Sequence, residues 1–206
     1  MTTQHFLAIV RRYLDIYQPA ERFFKSDKAT LDYFNKNPLN EDPAEILIKV
    51  RAIAHDRLDE WMNDRQSITD HIAALHIDEA LRQGSPSVVK DIAHLKLRGH
   101  DYFQYSFATR YCNWHNRAAY PIYDLCARKL LSYYWREVQQ QPLSDEDFLI
   151  YPQFKSRMMT FRDQLGMRDY NFKELDTFIW VYGDRILDEA GSRNEPSYFP
   201  APVSSW

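Results

Sequence analysis

Pro121 separates two stretches of helical periodicity, and no single helix can run through it. Residues 106–131 read SFATRYCNWHNRAAYPIYDLCARKLL, two helix-like halves on either side of a polar, aromatic joint. The proline ring disfavours the α region for the residue before it, so Tyr120 is pushed towards an extended backbone. Tyr123 and Asp124 then fall where the next helix begins. An Asp at that point can cap the exposed amides of the first turn, or present a carboxylate to a ligand across the positive helix end. Both roles stay open. The joint itself, Tyr111-Cys112-Asn113-Trp114-His115-Asn116, concentrates hydrogen-bonding and stacking groups in six residues.

The rest of the chain reads as helix punctuated by proline and glycine. Residues 4–17 place Phe6, Ile9, Val10, Tyr13 and Tyr17 at helical spacing, and Pro19 stops them. Asp42-Pro43-Ala44-Glu45 is a helix start, with Asp as cap, Pro at the first position and Glu three residues after the cap. That pattern predicts a helix to about Asn63. A third helix runs from about Ser67 to Arg82 and ends at Gly84 as a left-handed cap. Ser85-Pro86 restarts a helix through Leu97, and Gly99 interrupts it. The helix after Asp124 extends to Val138. Ser144 opens a short one, residues 152–165 form another ending at Gly166, and Lys173 to about Glu189 form the last. No strand alternation stands out. The expectation is an all-α fold of roughly eight helices in one domain over residues 1–190, with residues 191–206 as an extended or disordered tail.

Composition narrows the function. With 45% hydrophobic residues the 206-residue chain can build a large core, and 14 Tyr, 12 Phe and 5 Trp make it an aromatic one. Only 5 Gly are present, and neither GxGxxG nor GxxxxGK[ST] occurs, which argues against dinucleotide and P-loop chemistry. A net charge of −3 lacks the global basic footprint of a duplex-DNA binder, though a local basic face stays open. Cys112 and Cys126 fit neither a zinc spacing nor a disulfide framework, and read as reduced thiols of a cytoplasmic protein. No apolar stretch approaches a membrane span. His71 and His76 are five apart, off a common helix face, and His55 with Asp59 supplies two ligands at most. No metal and no cofactor is expected.

Asp124 is the first candidate for chemistry, either as a helix cap or as a carboxylate beside aromatic walls. Asn113, His115, Asn116 and Asp124 form a polar set that is costly to bury without partners. With Tyr111, Trp114 and Tyr123 they suit a flat polar ligand such as a base. Arg110 and Arg128 flank the set, as phosphate contacts or as solvated charges. Asp176 and Trp180, four apart, share one face of the last helix, which is either core or a wall of the site around Asp124.

The segments Phe107 to Asn116, Tyr120 to Asp124, and Leu175 to Gly183 resemble small bacterial proteins related to the helix-hairpin-helix DNA glycosylases, the 8-oxoguanine and endonuclease III-like group. The resemblance covers about 80 residues from Leu95 onward. It implies a glycosylase-like all-α fold in which Asp124 stabilises an oxocarbenium-like sugar or orients the nucleophile. The hairpin Gly-x-Gly is absent, with only Gly99 left, and no lysine lies near Tyr105 or Ser106. Lyase chemistry is therefore not implied. The resulting expectation is cleavage of an N-glycosidic bond in modified DNA or in a nucleoside or nucleotide. In that account Tyr111, Asn113, Trp114, His115, Tyr123 and Trp180 hold the substrate. The alternative is a non-catalytic module that binds a nucleotide or modified base. Phage defence is a natural setting for either, and an interaction domain in which Asp124 only caps a helix is a third reading.

Overall fold

Several helices of this protein begin at a side chain that caps them. The structure is a computed structural model that describes residues 2–17, 25–53, 65–97 and 99–191. Asp42 accepts from Ala44 N at 2.8 Å, Ser144 and Asp147 form a reciprocal capping box, and so do Asn171 and Glu174. The described helices are α1 (Thr3–Ile16), α2 (Lys25–Lys36), α3 (Pro43–Ile53), α4 (Arg65–Ala74), α5 (Asp78–Gln83) and α6 (Ser87–Ala93). After these come the strands β1 (His94–Leu97) and β2 (His100–Phe103), then α7 (Tyr105–His115), α8 (Leu125–Tyr133), α9 (Asp145–Leu149), α10 (Tyr151–Gln164) and α11 (Phe172–Glu189). A π-turn, Tyr134–Val138, extends α8. The result is a predominantly helical single domain with one continuous core.

Two expectations are corrected. The helix expected through Leu97 ends at Ala93, and β1 and β2 pair antiparallel with His94 opposite Phe103 and Leu97 opposite His100. The helix expected over 67–82 breaks between α4 and α5, where His76 takes φ 50°. The continuation of α3 to Asn63, the His55/Asp59 pair, Pro19 and the tail beyond Gly191 lie outside the described residues.

The joint after α7 is the hub of the packing. Asn116 Nδ2 donates to the carbonyls of Leu81 and Arg82, and the Tyr120 hydroxyl donates to those of Ala80 and Ser85. Phe172 N donates to Arg117 O at 2.9 Å, and the Tyr151 hydroxyl to Pro121 O at 3.2 Å. The joint thus ties the α5–α6 turn to α10 and α11. Gly84 makes that turn possible. Its φ is 72°, and an added Cβ would meet Ala119 Cβ at 2.6 Å. Conformation and close approach both require glycine there.

Candidate functional site

Asp124 caps α8, one of the two roles that its position after Pro121 leaves open. It has extended backbone and accepts from Ala127 N at 2.7 Å, with Cys126 N as a second amide partner. The cap does not relieve the carboxylate fully. Burial raises its pKa above the ordinary carboxylate range and the charge of Asp176 raises it further, against the amides and the Arg110 guanidinium. Two carboxylates from separate helices, the start of α8 and the second turn of α11, therefore face one another electrostatically. Arg110, on the outer face of α7, is the cation set against Asp124.

Lys173 organises the flank of this pair. Its ammonium lies 3.1 Å from Asp176 Oδ2, 3.6 Å from Asp27 Oδ2 and 5.3 Å from the centre of the Trp114 ring. It joins α2, α7 and α11 at one point. Burial, with the carboxylates of Asp124 and Asp184, pushes the neighbouring Cys126 thiol up to about 11, so this thiol is not a nucleophile at neutral pH. Trp180 is 60% exposed. It lies between Asp176 and Asp184, four residues from each, on the helix stripe that meets Asp124 and Cys126.

The other expected ligand-binding residues face elsewhere. Tyr111 and Asn113 are fully buried and Trp114 nearly so. Phe34 sits among Tyr111, Trp114 and His115, with ring centres 4.9 Å apart for Phe34 and His115. These residues hold α2 against α7 and present no open ring face. Asn113 Nδ2 donates to Tyr120 O at 2.6 Å, leaving its Oδ1 without a partner. Tyr123 N donates to Thr109 Oγ1, and the Tyr123 ring packs on Tyr105 and Phe154. Arg128 is committed. It donates to Tyr123 Oη and to Asp145 Oδ1 at 2.8 Å, and covers the Phe148 ring. Its guanidinium has a structural role, leaving Arg110 nearer the carboxylates.

A buried polar knot lies on the other side of α7. The Tyr111 hydroxyl and the Lys49 ammonium both donate to Asn40 Oδ1, and Lys49 also donates to Leu39 O. Asn40 in turn donates through its backbone and side chain to the Asp78 carboxylate. Lys49 is 0% exposed, and burial lowers its pKa to about 8 against the raising effect of Asp78 and Glu45. His115 Nε2 is shut from solvent with no partner. Burial and the nearby Lys49 charge lower its pKa to about 3, so the ring is neutral. Sequence reasoning missed Lys49, although a signal existed. Lys49 stands at helical spacing from Ile46 and Ile53, on the buried face of α3.

Among the described residues no group of three His, Cys, Asp or Glu side chains could hold a metal ion, and no helix is long and apolar enough to cross a membrane.

Residues 9–119 match the model of the HI_0787_N family, described as an N-terminal domain. The match takes in the knot, Arg110 and Trp114, and stops just before Pro121 and Asp124. An uncharacterized protein of Haemophilus influenzae is 30% identical over 126 residues, which is 58% of this chain and 60% of that relative. The chain thus spans less than two thirds of the relative's length. No solved structure matches the chain.

Proposed function

The chain belongs to the HI_0787_N family, and from that premise we propose that it acts on an N-glycosidic bond, of modified DNA or of a nucleoside or nucleotide, with Asp124 as the working carboxylate. The observation that carries this reading is the desolvated carboxylate pair. Asp124 is held by helix amides, its pKa is raised by burial and by Asp176, and Arg110 opposes it. Breaking a glycosidic bond develops positive charge on the sugar, and a fixed carboxylate in a partly dry setting stabilises that charge better than water does. Asp176 adds to the negative field at the same place. The likeness to helix-hairpin-helix glycosylases supports this reading through Asp124 and its approach from Pro121.

One observation favours a second reading, a module that binds a nucleotide or modified base without turnover. The Asp124 carboxylate already accepts from two amides, and the aromatic residues expected to grip a base pack mostly in the core.

Base release from modified DNAs and free nucleosides, followed by chromatography, separates the two. Asn caps a helix as well as Asp does, so Asp124→Asn removes the charge and keeps the cap. Release by the wild type that falls by about a hundredfold or more in the variant is the expected result. No release from any substrate moves the assignment to the binding module.

A further inference from the structure

The aromatic residues of α7 do enclose a ring, and that ring belongs to the chain itself. Measured to the centre of the Phe34 ring on α2, the ring of Tyr111 lies at 6.0 Å, that of Trp114 at 6.1 Å and that of His115 at 4.9 Å. The Lys49 ammonium is 5.7 Å from the same centre. One phenyl group thus fills a box walled by α3 and α7. Two of the walls have hydrogen-bonding capacity to spare. His115 Nε2 is shut from solvent with no partner, and among the described residues the three N–H groups of Lys49 meet only Leu39 O and Asn40 Oδ1. The phenyl ring offers the cation its π face and the imidazole nitrogen nothing, although a buried polar group without a partner is costly. The helix that carries the ring is lightly fastened. Among the described side chains of α2 Phe34 alone is buried, Leu31 is half-buried, and Asp27 in the first turn is clasped at 3.6 Å by Lys173, whose ammonium lies over Trp114. Elements with few buried apolar side chains are the ones that open locally at low cost.

We propose that Phe34 is an internal plug in a small-molecule site, and that the ligand displacing it is a flat aromatic ring carrying one anionic oxygen group, an aromatic carboxylate being the simplest. The ligand ring takes the place of Phe34 between Tyr111 and Trp114, and its oxygen accepts from the spare N–H of Lys49 beside His115. α2 is the lid that carries the plug, and the Lys173–Asp27 ion pair holds it shut. The site lies on the knot side of α7 and stands apart from Asp124 and from the proposed function.

The test is binding to the full chain with the plug in place and with it removed. Wild type and Phe34→Ala, labelled with ¹⁵N, are titrated with benzoate and with toluene, which share the ring and differ in the oxygen group. The signals followed are the Trp114 indole and the His115 ring. The variant should bind benzoate about tenfold more tightly than toluene, the gain expected for one charge-assisted hydrogen bond. It should also bind benzoate at least about tenfold more tightly than wild type does, because the ligand no longer competes with Phe34. Toluene binding as well as benzoate overturns the inference, since the vacated space is then an ordinary apolar cavity. So does binding of neither, or equal benzoate binding by wild type and variant. Native-state hydrogen exchange of the wild type decides the matter if Phe34→Ala does not fold. The α2 amides should exchange well before those of α3 and α7, and Asp27→Asn, which keeps the plug and removes the clasp, should speed α2 alone and tighten benzoate binding. Exchange of α2 together with α3 and α7 makes Phe34 a core residue and overturns the inference.

Discussion

The two faces of α7 desolvate charge in opposite ways. On one face, the knot takes a lysine out of water and surrounds it with acceptors. Asn40 receives Lys49 and Tyr111 and hands the charge on to Asp78. On the other face, Asp124 and Asp176 are brought together with the same sign, and Asp124 is left harder to ionise than in water. The knot lies within the family-matched residues, and the pair lies beyond them. A satisfied network fixes one arrangement of the chain, whereas a like-charge pair only partly offset by Lys173, Arg110 and the helix amides is a cost that a purely structural site would shed. The knot is architecture, and the pair is where chemistry is sought.

The sharpest way to break this comparison is Asn40→Ala. It removes the acceptor shared by Lys49 and Tyr111 and leaves a buried ammonium poorly compensated. A loss of about 3–5 kcal/mol in urea unfolding is expected. A loss near zero would mean that the knot is not closed as described. Gly84→Ala tests the link between the regions, since the joint at Asn116–Tyr120 clamps that turn. A left-handed φ and the overlap with Ala119 together are expected to cost about 2–4 kcal/mol by the same measurement.

Thermal melts against pH sharpen the contrast further. His115 has a folded pKa of about 3 against the ordinary imidazole value of 6.5, so the unfolded chain takes up this proton first. Its contribution is complete above about 6.5 and is lost as pH falls towards 3. Lys49 has a folded pKa of about 8 against 10.5, so by the same sign stability rises between about 8 and 10.5. His115→Gln should flatten the acid limb, and Lys49→Met the alkaline one. The smallest effect is expected at Asp124. Its raised folded pKa means that the charged form is disfavoured by folding, so Asp124→Asn should leave the melting temperature at neutral pH unchanged or slightly higher. A clear drop would make Asp124 a structural residue.

Local chemistry made much of this legible. Pro121 placed Asp124 at a helix start, Gly84 marked a left-handed cap, and Ser144 opened a capped turn. What escaped depended on distant partners. Leu95 and Leu97 continue the helical spacing of Ile92, and only Phe103, nine residues on from His94, turns them into a strand. Ile68, Ile72, Ile77 and Leu81 keep apolar residues coming through the break at His76, so periodicity ran two helices together. Within the joint, the sequence could not tell which side of α7 faces the core. Tyr111 and His115 go inward because Phe34, Asn40 and Lys49 come from elsewhere in the chain to meet them. Arg110 stays on the other side.

The central claim is that Asp124 is a desolvated carboxylate whose ionisation the Asp176 charge opposes, and ¹³C NMR titration of the aspartate carboxyls tests it most directly. The account predicts an Asp124 midpoint above the ordinary carboxylate range, falling in Asp176→Asn and rising in Arg110→Gln. An ordinary midpoint, unmoved by either substitution, would contradict it.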